Sequence, residues 1–344
     1  MVPDFRKRLL SPRTGTNILR QMRKEIGQND GRVLLASPRG FCAGVVRAID
    51  IVNLALEKYG QPLYVRREIV HNRFVVNELR QKGTIFVDEL EEVPSGGRVI
   101  FSAHGVSPEV RAAAIARKLN VIDATCPLVT KVHLEAIKYA RAGYTIILIG
   151  HADHDEVEGT LGEAPAVMHV VSSANEVDDL KLRNPDRIAY LTQTTLSLDD
   201  TREIIARLRQ KYPHIEGPAS EDICYATQNR QGAVLELARY AELILVVGSK
   251  NSSNSCRLVE VSESAGVPAQ LIDNIEDIQP CWLEGIRTIG LTAGASAPEE
   301  LVESVVDYLN RNGFPHVETV GSIVEHVEFA LPPELAKTSQ KSKV

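Results

Sequence analysis

The sequence predicts an α/β protein of three tandem modules, whose equivalent cysteines a pseudo-threefold, trefoil arrangement would bring together. Three observations carry that expectation. Short apolar runs alternate with amphipathic helical stretches along most of the 344 residues, the pattern of mostly parallel sheets covered by helices. Four sequence features each occur three times, spaced by 83 to 101 residues, which marks internal repetition. A cysteine stands at an equivalent point in each copy.

The first feature is residues 38–46, PRGFCAGVV, where the apolar run 33–36 ends in a glycine turn and a helical pattern begins. Val45, Ile49, Val52 and Leu56 then share one helix face. Cys42 therefore falls near a helix N-terminus, where the dipole and free N–H groups favour a thiolate. Cys126 follows the run 121–124 and precedes Pro127 and the face Val129, Val132, Ala136 and Tyr139. Cys224 follows Asp222 and Ile223, the weakest of the three leading strands, and precedes Val234, Leu237 and Ala241.

The second feature is a strand (62–65, 144–149, 243–247) entering a polar loop with His71, His154 or Asn254. The third is TIFVDELEEV, HVVSSANEVDDL and QLIDNIEDI, each a strand closed by an acidic helix start. The fourth is VIFSAHGVSPEV, AYLTQTTLSLDD and IGLTAGASAPEE, in which Ser102, Thr192 and Thr292 correspond. These divide the chain into an N-terminal extension (1–31), modules at 32–125, 126–223 and 224–316, and a tail (317–344). Sheets of this kind take ligands at the carboxyl ends of their strands, where the cysteines and polar loops fall.

Net charge is −6, which argues against nucleic acid as the main partner. Residues 1–32 hold eight Lys/Arg and three Asp/Glu, leaving the remainder at −11. That start lacks the apolar core of a secretory signal and reads as a solvated helical extension. No run approaches membrane-spanning length, so no membrane association is expected. Five cysteines without short-range pairing suit a reducing cytoplasm. The segment after Pro332, ending KTSQKSKV, reads as disordered.

Cys256 and Cys281 occupy no repeated position and read as ordinary free cysteines. Three equivalent cysteines meeting on a pseudo-threefold axis suit a soft metal centre, either zinc or an iron–sulfur cluster with one iron lacking a protein ligand. A closed zinc site would want a fourth ligand and paired Cys-x₂₋₄-Cys hairpins, neither of which is seen. An open [4Fe–4S] cluster would be a Lewis acid and an electron source together.

His71 and Asn72, Ser102 to His104 (SAH), GSKNSSNS (248–255) and SAPE (296–299) all end strands and open helices. Capping accounts for part of this. Gathered together, such hydroxyl, amide, imidazole and N–H donors would bind a phosphate or diphosphate. No GxxxxGK[ST] loop is present, so a nucleoside triphosphate is not expected. In GHADHDEVEGT (150–160), His154 beside Glu156 could relay a proton or form part of a zinc pair.

Together PRGFCAGV, HNRFVVNEL, FSAHGVSP, DATCPLVTKVH, GHADHDEVEGT, YLTQTTLS, DICYATQNRQ, VVGSKNSSNSCRL and LTAGASAPE resemble the 4-hydroxy-3-methylbut-2-enyl diphosphate reductase family. The resemblance covers about residues 32–331. It implies three α/β lobes around a [4Fe–4S] cluster held by Cys42, Cys126 and Cys224. The implied reaction is reductive dehydroxylation of an allylic diphosphate to isopentenyl and dimethylallyl diphosphates, in the methylerythritol phosphate route to isoprenoids. Carried over by motif, His71, His104, Ser252, Ser253, Asn254 and Ser296 contact the diphosphate and His154 joins them. Glu156 donates a proton, and Thr194 lies by the substrate hydroxyl. Asp155 stands where proline is expected in many members, and Cys256 fills the variable place of SNSxRL. A ferredoxin or flavodoxin is the implied electron donor, and no G-x-G-x-x-G follows a strand to bind a nicotinamide cofactor directly. Two rival readings are a zinc hydrolase of a phosphorylated metabolite using His151, His154 and Glu156, and a non-catalytic phosphometabolite-binding protein.

Overall fold

The structure is a computed structural model and describes residues 30–182 and 185–339. The helical extension expected at 1–31 lies outside the described residues except for its last two, as do residues 340–344. In chain order β1 (Arg32–Ala36), α1 (Ala43–Tyr59), β2 (Leu63–Arg66), α2 (Arg73–Gln81), β3 (Thr84–Val87), β4 (Arg98–Phe101), α3 (Pro108–Ala116) and β5 (Asn120–Asp123) come first. Then follow α4 (Pro127–Arg141), β6 (Thr145–Ile149), α5 (Asp155–Gly162), β7 (Met168–Val171), α6 (Ala174–Asp179), β8 (Ile188–Thr192) and α7 (Leu198–Lys211). The rest is α8 (Tyr225–Leu237), β9 (Leu243–Val247), α9 (Ser253–Ser264), β10 (Ala269–Ile272), β11 (Thr288–Ala293), α10 (Glu299–Arg311), β12 (His316–Val320) and α11 (Pro333–Ser339).

Three parallel sheets result, and the repeats are visible in their strand orders. These run β3-β2-β4-β5, β7-β6-β8 and β10-β9-β11-β1-β12. In each lobe the strand of the second sequence feature is flanked by those of the third and fourth. Strands β6, β8, β9 and β11 are buried along their whole length. That is why they read as unbroken apolar runs.

The cysteine-leading segments depart from the expected division. The strand before Cys42, β1, pairs with β11 and β12 in the third lobe, not with residues 63–123 of the module it was assigned to. The strand before Cys126, β5, closes the first sheet beside β4. Before Cys224 there is no strand, only a bridge from Glu216 to Ala189 in the second sheet. The helices after the cysteines belong to the next lobe: α1 packs on Leu63 and Val65, α4 on Ile146 and Leu148, α8 on Ile244 and Val246. At each cysteine, then, the chain crosses from one lobe to the next.

The tail differs from expectation as well. Residues 316–320 form β12 on β1, and 333–339 are helical rather than disordered, with Leu335 fully buried against the first-lobe core. Between them Glu325 reaches Arg230, whose guanidinium is fully buried and donates to the Gly40 carbonyl at 2.6 and 3.0 Å.

Candidate active site where three lobes meet

Cys42, Cys126 and Cys224 are the N-cap residues of α1, α4 and α8, so three helix N-termini point at one cavity of about 110 Å3. The sulfurs of Cys42 and Cys126 are close enough that a Cβ on Gly44 would stand 3.8 and 2.8 Å from them. Only hydrogen leaves both thiols room there. Burial pushes the Cys126 thiol up to about 12 and the Cys224 thiol up to about 11, and the neighbouring cysteines add to both shifts. At Cys126 and Cys224 the helix ends alone therefore do not make thiolates, because burial and mutual repulsion outweigh them. Three soft donors gathered at one point are suited to a multivalent cationic occupant.

Across the cavity lies a shell of imidazole, hydroxyl and amide side chains. His71 follows β2, His104 follows β4 and His154 caps α5. The His71 and His104 rings stack at 4.0 Å, and the His154 ring stands edge-on to both at 5.5 and 5.9 Å. Burial holds His104 well below its ordinary range and pulls His154 down to about 4. The Glu156 N–H donates to His154 Nδ1 at 3.1 Å, so this ring turns its Nε2–H outward. The third lobe supplies Ser252, Ser253 and Asn254 at the start of α9, and Ser296 before α10. The Ser296 hydroxyl donates to the His71 carbonyl at 2.9 Å, which ties the first and third lobes. Asn254 accepts from the Ala295 N–H at 2.8 Å and donates to Thr227, whose hydroxyl is 3.2 Å from Cys224 Sγ.

Glu156 enters from the second lobe on the first turn of α5 and is 3% exposed. Its carboxylate accepts the Thr194 N–H at 2.7 Å and the Thr194 hydroxyl at 2.9 Å. Burial pushes its carboxyl up to about 7, those two bonds pulling the other way. It is thus an acid half-protonated near neutrality, which suits general acid catalysis.

All twelve residues carried over by motif as cluster ligands, substrate contacts or acid line this cavity; Asn72 and Ser102, read with them as donors, do not, Asn72 capping α2 through the Val75 N–H. The zinc set His151, His154 and Glu156 is not assembled. His151 Nε2 meets the Arg257 guanidinium at 2.5 Å, and His154 Nδ1 and both oxygens of Glu156 are engaged as above. Sequence reasoning missed Thr227, Tyr225 and Phe329, which line the same cavity. It also missed Arg67, which pairs with Asp155 and Glu158. The alternation of ATQNRQ gave no hint of the Thr227–Cys224 contact, whereas the positive φ of Arg67 (56°) belongs to a loop no periodicity describes.

Fold and site together define a class: a three-lobed α/β protein in which three cysteines converge on one cavity beside a cluster of polar side chains and a buried acid. The chain belongs to the LytB protein family, whose pattern matches residues 33–310. It is 56% identical over 308 residues to the 4-hydroxy-3-methylbut-2-enyl diphosphate reductase of Nocardia farcinica, spanning 89% of this chain and 92% of the relative. It is 56% identical over 303 residues to the protein of that name from Ralstonia nicotianae, spanning 88% and 94%. Among solved structures, the E-1-hydroxy-2-methyl-but-2-enyl-4-diphosphate reductase of Plasmodium falciparum superposes with TM-score 0.87 at 40% identity, covering 92% of this chain and all of that one. Among the described residues no helix is long and apolar enough to cross a membrane.

Proposed function

We infer that this chain is an iron–sulfur reductase that converts (E)-4-hydroxy-3-methylbut-2-enyl diphosphate into isopentenyl and dimethylallyl diphosphates. The observation that carries the reading is the convergence, in one cavity, of three helix-capping cysteines from three crossings and a buried acid from the second lobe. Two electrons and two protons enter, and one water leaves. Cys42, Cys126 and Cys224 would hold a [4Fe–4S] cluster, which would supply single electrons and Lewis acidity.

The chain's own groups do the rest. His71, His104, His154, Ser252, Ser253, Asn254 and Ser296 bind the diphosphate on donors from all three lobes, which fixes the hydroxymethyl end toward the cysteines. Thr194 steers the hydroxyl and holds Glu156, and Glu156 protonates the departing oxygen so that it leaves as water rather than hydroxide. The electron donor is a ferredoxin or flavodoxin, and the setting is the reducing cytoplasm that keeps five cysteines free. The test is anaerobic turnover by brown, iron-loaded protein with a reduced one-electron dye, then with each donor. Both five-carbon diphosphates are expected. Release of inorganic phosphate or diphosphate instead, or no product from fully loaded protein, would overturn the reading.

A further inference from the structure

We propose that His71, His104 and Asp155 form a binding site for a divalent zinc-class cation whose occupancy closes the anion-binding shell. The proposal rests on the reading of His71 and His104 as diphosphate donors only for its second half. One ligand atom from each of the three residues lies within 4.8 Å of the others. Asp155 Oδ2 is 4.0 Å from His71 Nε2 and 3.8 Å from His104 Nδ1. A tetrahedral ion at about 2.1 Å from nitrogen and oxygen ligands needs them about 3.4 Å apart. Because the two rings stack nearly parallel, binding the ion turns one ring out of the stack and takes His104 Nδ1 from its 3.3 Å contact with the Ser102 hydroxyl.

The groups behind these ligands orient them for metal. His71 Nδ1 is 3.1 Å from Glu68 Oε2. A carboxylate is acceptor-only, so Nδ1 carries the hydrogen and, in the neutral ring, Nε2 presents its lone pair toward Asp155. A carboxylate behind a ligating histidine is the usual support of such sites. Arg67 pairs with Asp155 through Oδ1, which leaves Oδ2 to face the rings. Glu68, Asp155 and Glu158 stand beside the rings with Arg67 opposing them, while Arg66 is paired with Glu89 and Arg80 acts on Glu68. The N-terminal half-charge of α5 opposes a cation, but the full charge of Asp155 at its first residue exceeds it. The same Nε2 cannot offer a lone pair to a metal and a proton to a phosphate, so occupancy by one excludes the other.

The test uses iron-loaded, chelator-treated protein equilibrated with zinc chloride, with free metal then removed. Expected are about one zinc per chain with unchanged iron, and a zinc X-ray absorption edge fitted by nitrogen and oxygen without sulfur. Asp155→Asn and Glu68→Gln should each weaken zinc at least about tenfold while keeping iron content, and Cys256→Ser should leave affinity unchanged. Zinc-loaded protein should stop turning over and recover with chelator. Sulfur in the zinc shell, or affinity indifferent to Asp155, overturns the site. Asp155-dependent zinc with turnover untouched upholds the metal site and overturns the assignment of the two histidines to diphosphate. Turnover without any zinc uptake overturns the metal site and leaves that assignment standing.

Discussion

Gly44, on the first turn of α1, faces Cys126, the N-cap of α4, so closely that a Cβ at Gly44 would lie 2.8 Å from the sulfur. The two residues belong to different lobes, and their contact sets the width of the thiol cavity. Alanine is better than glycine inside a helix by roughly 0.5–1 kcal/mol. Gly44→Ala should therefore leave the metal-free chain at least as stable to heat, since the free Cys126 side chain can swing aside. In loaded protein the sulfur has no such freedom, and iron per chain should fall sharply. Full iron content in Gly44→Ala, measured with sulfide on anaerobic protein, would contradict this account of the cavity.

The cysteines themselves give a sharper contrast. Cys42→Ser, Cys126→Ser and Cys224→Ser should each abolish the brown chromophore. Cys256 sits over the Lys250 carbonyl and Cys281 is exposed, so Cys256→Ser and Cys281→Ser should retain it. A fully loaded Cys126→Ser protein would remove the tri-cysteine assignment.

The repeats made most of the fold legible. Each strand series found its place in its sheet because parallel strands buried on both faces write themselves as apolar runs. The strand partners were not legible in the same way. Val33 to Val317 is a pairing between the two ends of the described chain, and no local pattern encodes a partner hundreds of residues away. Helix α11 was hidden for a related reason. Among its described side chains only Leu335 is buried, too little apolar surface to show in a polar tail. The candidate site was legible because its residues sit at strand ends, and Arg230 was not, because a cation that satisfies buried carbonyls looks like any surface arginine until the fold is seen.

Arg230 gives the third prediction. Its guanidinium serves the Gly40 and Phe41 carbonyls and Glu325 at once, so it joins the turn before Cys42 to the tail segment that carries Phe329 into the cavity. Removing one partner of a buried pair costs about 3–5 kcal/mol. Arg230→Met should lower the urea midpoint by a corresponding amount and expose residues 321–332 to hydrogen exchange. Unchanged exchange there would mean that the tail is held by other contacts.

The anion shell gives the fourth. Its donors come from loops of all three lobes, so inorganic diphosphate should slow exchange at residues 249–255 and 102–105 more than in strand β1. Equal protection everywhere, or none, would count against the shell.

The last prediction concerns Glu156, where the acid and the merely structural readings separate. The carboxyl, pushed up to about 7 by burial, donates a proton only in its neutral form. Because the pKa is raised, that form persists through mild acid and is lost as pH climbs past about 7. With chemistry limiting, kcat should be flat below that value and fall about tenfold per unit above it. Glu156→Gln keeps the shape and can still accept the Thr194 N–H, so iron content and diphosphate affinity should stay near normal. Turnover should drop at least roughly a hundredfold, the low end for loss of a general acid, and the alkaline limb near 7 should vanish with it. A purely structural Glu156 predicts something different: the glutamine, which no longer has to bury a carboxylate above pH 7, would be at least as stable and nearly as active. Near-normal turnover with the same alkaline limb would move the proton source to the substrate's own diphosphate.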